Sequence, residues 1–366
     1  MIFPSVPSAA PPAHLLNAHH QCVVTLETQN SYTSSLVFTG KFLYTGSSDK
    51  EIRLYKCNYA INSLPNYENI NTVMAGKGAV KALVASSDKL ISAHQDNKIR
   101  VWKIDHINNH KITKIATLPT LTDRAFKLLV PKNHIQITRH KKCTFVHHVD
   151  TVSALALSSD ESLLYSVSWD RTLKIWQTTD FQCLQSVANA HDDAINAIAL
   201  SEDGHVYTGS SDKKIKVWKQ KSGEKTHSLV DTLEKHNSGV NALALSKDGT
   251  VLYSGASDRS LIVWTNVGGG GMEVVGALRG HTKSILCLAV VSELVCSGSA
   301  DKTVRIWRGG GKSYSCLAVL EGHKGPIKCI AAAFDHCSSD GIPMYLLHSA
   351  SLDSDIRVWK IFLPMS

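Results

Sequence analysis

The sequence predicts an all-β chain folded as a seven-bladed β-propeller, closed by an N-terminal strand. Three observations predict it. A three-residue phrase recurs seven times with constant internal spacing, short segments of period-two alternation flank each copy, and a strand-like segment precedes the first copy where the last copy lacks one.

The phrase is Ser/Thr-x3-Asp-x5-Trp. It stands at Ser92-Asp96-Trp102, Ser166-Asp170-Trp176, Thr208-Asp212-Trp218, Ser254-Asp258-Trp264, Ser297-Asp301-Trp307 and Ser349-Asp353-Trp359, with Thr45-Asp49-Tyr55 carrying tyrosine in the tryptophan slot. In five copies a histidine stands four residues ahead of an apolar strand residue: His148, His191, His236, His281 and His323. Gln29 and Gly76 occupy that place in the first two repeats, which predicts weaker networks there.

Strands follow from alternation. Val304-Arg305-Ile306-Trp307 and Ile215-Lys216-Val217-Trp218 place apolar and charged side chains on opposite faces. Between strands lie turn compositions such as Gly298-Ser299-Ala300-Asp301-Lys302 and Ser201-Glu202-Asp203-Gly204. Cys183–Val187, Cys316–Leu320 and Ile112–Leu118 read as fourth strands. Nothing after Trp359-Lys360-Ile361-Phe362 leaves room for a fourth strand in the last repeat, whereas Gln21–Leu26 resembles one and is expected to complete it. The expected organisation is a disordered tail over 1–20 and a propeller over 21–362.

A chain of 366 residues would ordinarily suggest two domains, but repeats bury their apolar faces on one another and need no single large core. Its 43% hydrophobic content is that of a globular protein, without a run long enough to span a bilayer. The proline-containing start lacks the pattern of a secretory signal. Nine cysteines, an odd number without a CxxC pair, read as reduced buried residues of a cytoplasmic or nuclear protein. His147-His148 and His19-His20 are weak metal candidates, and neither a metal nor a cofactor is expected.

These motifs resemble the WD-repeat family over residues 21 to 362. The resemblance implies a buried hydrogen-bond chain in each blade, from Asp through His and Ser/Thr to the Trp indole. Such a chain satisfies polar groups that would otherwise be costly to bury. The Ser-His-Asp combination therefore reads as structural and not as a catalytic triad. The tetraglycine Gly268–Gly271 opens no helix after a strand, so it reads as a hairpin connector and not a dinucleotide loop. An enzyme is not expected.

One irregularity is informative. Successive repeat aspartates step by 47, 74, 42, 46, 43 and 52 residues, so an insertion at about 119–147 separates blades two and three. From Asp105 to His147 there are eight Lys/Arg against two acids, which is most of the chain's net charge of +8. Thr122–Val130 could form a short helix stopped by Pro131, and His134–Arg139 alternates like a strand. Leu118-Pro119-Thr120, Asp123-Arg124, Leu128–Asn133 and Arg139–Lys142 resemble the plant JINGUBANG-type WD-repeat proteins. That resemblance implies a plant regulatory protein restraining pollen germination or related growth through protein contacts.

The residue before each repeat Asp is expected to face one rim, and there Trp169 and Leu352 are large and apolar. With Lys132, Arg139, Lys141 and Lys142 of the insertion, and Lys283 and Lys324 of the loops after two repeat histidines, they form the expected partner-binding set. The expected function is a protein–protein interaction scaffold for acidic partners or transcriptional regulators, with neither nucleic acid nor membrane as partner. One alternative is a substrate receptor of a cullin-type ubiquitin ligase, in which an Arg three residues after the repeat Trp makes the ligase contact. Here those positions hold Asp105, Thr179, Lys221, Val267, Gly310 and Phe362, which argues against it. The other alternative is an RNA-associated propeller using the basic insertion.

Overall fold

The computed structural model describes residues 18–28, 31–58, 65–107, 110–120, 134–138, 141–144, 146–220, 223, 226–267, 271–310, 313–335 and 344–363. The expected helix over 122–130, most of the expected tail and Gly268–Gly270 fall outside them.

Seven four-stranded antiparallel sheets account for the repeats, and the chain is an all-β, seven-bladed propeller. Strand β1 is His19–Glu27. Blade one holds β2 to β5 (Thr33–Thr39, Phe42–Ser47, Glu51–Asn58, Asn66–Met74), and blade two β6 to β9 (Val80–Ala85, Lys89–His94, Ile99–Asp105, Lys111–Leu118). A separate hairpin follows, β10 (His134–Thr138) and β11 (Lys141–Thr144). Blade three is β12 to β15 (Val152–Leu157, Leu163–Ser168, Leu173–Gln177, Cys183–Val187), and blade four β16 to β19 (Ile195–Leu200, His205–Ser210, Lys214–Gln220, His227–Glu234). Blade five is β20 to β23 (Val240–Leu245, Val251–Ala256, Leu261–Asn266, Met272–Leu278), and blade six β24 to β27 (Ile285–Val291, Leu294–Ser299, Val304–Gly310, Ser313–Leu320). Blade seven has β28 to β30 (Ile327–Asp335, Met344–Ser351, Asp355–Phe362), and β1 is its fourth strand, in the order β1-β30-β29-β28.

The expectation for β1 holds, with one boundary corrected. Pairing starts at His19↔Phe362, the Ala18 N–H donates to the Leu317 carbonyl at 3.2 Å, and Ala18 is buried in the apolar cluster of the last two blades. Residues 18–20 therefore belong to the blade and not to the tail. At the other end Leu363 is buried too.

The chain divides into two compact units. One comprises 1–33, 57–67 and 236–366 and contains blades five to seven; the other comprises 34–56 and 68–235 and contains the first four blades, with the ends of blade one's outer strands assigned to the former. Within each, the core lies between neighbouring sheets. Ile91 and Val101 of blade two pack with Val152, Leu164 and Trp176 of blade three, and Tyr253 and Val263 of blade five with Ile285 and Trp307 of blade six. Each repeat thus buries its apolar face on the next.

Two irregularities repeat with the blades. Six first strands carry a bulge one residue after the leading apolar side chain, between Val80/Ala82, Val152/Ala154, Ile195/Ala197, Val240/Ala242, Ile285/Cys287 and Ile327/Cys329. The residue after every repeat Asp is left-handed: Lys50, Asn97, Arg171, Lys213, Arg259, Lys302 and Ser354 have φ between 56° and 75°. None is glycine, so each turn accepts a conformation that L-residues adopt reluctantly.

Candidate interaction site

The repeat tetrads set the geometry of the rim. In blade three the His148 Nδ1–H faces Asp170 Oδ2 at 3.3 Å, the Ser166 hydroxyl lies 2.7 Å from His148 Nε2, and Trp176 Nε1–H donates to Ser166 Oγ at 2.9 Å. Blades four to seven repeat the chain with every contact between 2.8 and 3.1 Å. Burial pushes the His148 imidazole below its usual range, against the pull of Asp170. A neutral imidazole with Nδ1–H toward the carboxylate leaves Nε2 to accept the serine proton, which fixes every donor in the chain. Burial alone would raise Asp212 and Asp301, but their histidines and nearby N–H and O–H donors bring each down to about 2. The oxygen that faces the histidine also receives a backbone N–H from the loop after it, as Asp301 Oδ2 does from Thr282 at 2.9 Å, while the other oxygen accepts from within the Asp turn, as Asp301 Oδ1 does from the Thr303 N–H at 3.0 Å. The tetrad thereby ties the loop entering a blade to its Asp turn.

Ser166 is fully buried, so its triad-like arrangement is closed to substrate. A cavity of about 340 Å³ lies at the opposite strand ends of blades three and four. Its walls include Tyr165, Ser201, Asp203, His205 and His227. There the Ser201 hydroxyl donates to Asp203 Oδ1 at 2.5 Å, and the His205 Nδ1–H to Asp203 Oδ2 at 2.8 Å. Serine and histidine thus share one carboxylate, an arrangement that activates no nucleophile.

The first two repeats depart from the pattern in different ways. Blade two recovers its network from other residues, which corrects the expectation of weakness. His94, on the same strand as Ser92, places Nε2 2.8 Å from Ser92 Oγ and donates Nδ1–H to the Gly78 carbonyl at 3.2 Å, while Trp102 Nε1 donates to Ser92 Oγ at 2.8 Å. Arg100 grips Asp96 with both guanidinium nitrogens, at 3.0 and 2.5 Å. A side chain at Gly76 would collide with that guanidinium at 2.5 Å, so glycine in the histidine's place makes room for arginine. In blade one Arg53 pairs with Asp49 and donates to Ser47 Oγ at 2.7 Å, but the Thr45 hydroxyl is buried without a hydrogen-bond partner among the described residues. Tyr55, lacking an indole N–H, leaves that hydroxyl nothing to accept.

A second set of latches escaped the sequence reading. The residue before the repeat Ser reaches the fourth strand of another blade: Tyr165 Oη lies 3.2 Å from His227 Nε2, Tyr253 Oη 3.2 Å from Tyr314 Oη, and His348 Nε2 2.6 Å from Tyr67 Oη. These pairs use no fixed residue type that could betray them in the sequence.

At the rim, Trp169 is 43% exposed and Leu352 45%, while the equivalent Ser48, Ser211, Ser257 and Ala300 are half-buried. Lys81 Nζ lies 5.7 Å above the Trp169 ring. Lys81 was not anticipated, although its place was legible. It is the bulged residue of β6, where Ser153, Asn196 and Asn241 stand in other blades, and a bulge redirects a side chain along the rim. In the other compact unit Lys283, Lys324 and Leu352 are exposed at the corresponding loops and turn of blades six and seven. Lys132 and Arg139 lie outside the described residues; Lys141 and Lys142 are placed only as strand β11. Lys111 and Lys114 belong to β9, so the insertion proper holds six basic residues against one acid.

The seven cysteines with described side chains form no disulfide. Burial pushes the thiols of Cys287 and Cys296 up to about 12, far from a reactive thiolate.

The family model described as "WD domain, G-beta repeat" matches residues 140–177, 181–219, 227–265, 272–308 and 314–360, together more than half of the chain. These segments are blades three to seven, those with the histidine tetrad. The chain is similar to zinc finger CCCH domain-containing protein 62 of Arabidopsis thaliana, 27% identical over 46% of this chain and 43% of that protein. It is 30% identical to an uncharacterized WD repeat-containing protein of Schizosaccharomyces pombe, over 39% of this chain and 40% of the relative. Autophagy-related protein 16 of Arabidopsis thaliana is 23% identical over 92% of this chain and 57% of its own length. The matches to the first two thus span about two fifths of each relative. With seven repeat sheets, five complete tetrads and a family match across them, the chain belongs to the WD-repeat family of β-propellers.

Proposed function

We propose that this propeller is a non-catalytic scaffold that captures an acidic segment of a partner protein at the Asp-turn rim of blades two and three. The observation that carries the reading is Trp169, a large exposed aromatic held on a rigid turn with Lys81 across its face. Exposed tryptophans on rigid supports are the side chains that dominate binding energy at interfaces. The basic insertion enters blade three on this same side, so a negatively charged partner would be steered toward the tryptophan. The resemblance to JINGUBANG-type proteins supports a plant regulatory role, including restraint of pollen germination or growth. The reduced cysteines suit a cytoplasmic or nuclear setting.

The test is affinity capture with Trp169→Ala combined with Lys141→Glu and Lys142→Glu. Partners should be lost while the far-ultraviolet spectrum and melting temperature stay unchanged. Retention of the same partners would overturn the proposal. Capture of RNA with a steep salt dependence would favour the nucleic-acid reading instead.

A further inference from the structure

The hairpin between β8 and β9, outside the tetrads and away from the Asp-turn rim, brings two imidazoles together. His106 Nδ1 and His110 Nδ1 lie 3.2 Å apart. His106 Nε2 lies 2.8 Å from the Ser87 carbonyl, which can only accept, so Nε2 carries the proton and Nδ1 presents its lone pair. This is the outer hydrogen bond that metal-ligating histidines ordinarily make. The His110 ring is fixed on the other side, against Phe42 with centroids 3.9 Å apart, and Asn71 Nδ2 donates to the His110 carbonyl at 3.4 Å.

We propose that His106 and His110 form a two-imidazole site for a divalent transition-metal ion of the zinc class. Ligands about 2.1 Å from such an ion and roughly 90–110° apart have nitrogens about 3.0–3.4 Å from each other, which brackets the observed separation. Binding requires no net proton release: the proton on His110 Nδ1 moves to Nε2, and the metal takes its place between the rings. Two imidazoles are borderline donors that suit zinc, copper and nickel over magnesium or calcium. Among the described residues no cluster of three or more His, Cys, Asp or Glu side chains could hold a metal, so the remaining positions are left to water or to a partner's side chain. Partial burial, His106 and Lys56 push the His110 imidazole below its usual range, while Asp105 opposes them. The same two charges give the site an electrostatic handle: Lys56 opposes a bound cation and Asp105 favours it.

The experiment is calorimetric titration of the full chain with zinc chloride at neutral pH, alongside His106→Ala, His110→Ala and Lys56→Gln. The wild type should show one saturable site that weakens at least tenfold in either histidine variant and tightens in Lys56→Gln. The wild type and both histidine variants taking up zinc with the same stoichiometry and affinity would overturn the proposal, leaving the pair a simple hydrogen bond. The variants' circular dichroism checks that folding is intact, as expected for side chains at a surface hairpin.

Discussion

The same repeat position should respond with opposite signs in two blades. In blade three, Ser166→Ala removes the acceptor of Trp176 Nε1–H and the donor to His148 Nε2, with all three side chains buried. Each buried polar group left unsatisfied costs about 1–3 kcal/mol, so the expected loss is about 2–4 kcal/mol after local relaxation. In blade one the Thr45 hydroxyl is already buried without a partner among the described residues. Thr45→Val exchanges it for a methyl group of similar size and should be neutral or stabilising by about 1 kcal/mol. Ser166→Thr is the control, because Thr208 holds the equivalent place in blade four with contacts of 2.8 and 2.9 Å. Urea unfolding followed by both fluorescence and circular dichroism would measure all three, since two compact units need not unfold together. A Thr45→Val variant destabilised as much as Ser166→Ala would refute the reasoning, because it would mean that the threonine hydroxyl has a partner after all.

Acid should destabilise the fold in two stages. Burial lowers His348 and His94 to about 4 from 6.5, so the unfolded chain binds protons first as pH falls below 6.5, and stability declines until about pH 4. For the fully buried His348 that gap corresponds to about 3 kcal/mol, and urea midpoints at pH 7.5 and 4.5 should show a smaller drop in His348→Leu than in the wild type. Asp212 and Asp301, held at about 2, add a second loss as pH falls from about 4 toward 2, visible as further acid unfolding in salt-matched buffers. Gly76→Ala, at φ 141° and against the Arg100 guanidinium, should cost about 1–3 kcal/mol and lower the melting temperature. Deleting residues 1–28 removes β1 and bares the edge of β30, so aggregation by light scattering is expected; an unchanged melting temperature would contradict it.

The blades were legible because their signal is redundant. The Asp-to-Trp spacing, the alternation of strands such as Val304–Trp307 and the upstream histidines all mark the same units. Trp169 was legible too, since the one aromatic residue in a series of turn positions stands out. The replacements in blade two were harder to see. His94 and Arg100 take the missing histidine's place from positions whose side chains do other work elsewhere: Arg305 donates to Cys316 Sγ and Arg357 pairs with Asp355. Such substitution depends on which side chain reaches a shared point in space, and spacing along the chain does not encode that. The interblade pairs Tyr165–His227 and His348–Tyr67 were hidden for a related reason: contacts across sheets join residues 62 and 281 positions apart.

The pairing of β1 with β30 also bears on synthesis. Thr28 Oγ1 donates to the Ser354 carbonyl at 2.6 Å across 326 residues. At translation rates of about 5–20 residues per second, β1 waits roughly 15–65 s for its partner strand to be polymerised. During that interval its edge is bare while earlier blades already stack. The last blade, assembled from β1 and the three strands β28 to β30, cannot form until β30 has been synthesised, which makes the nascent chain a natural client of chaperones that shield strand edges.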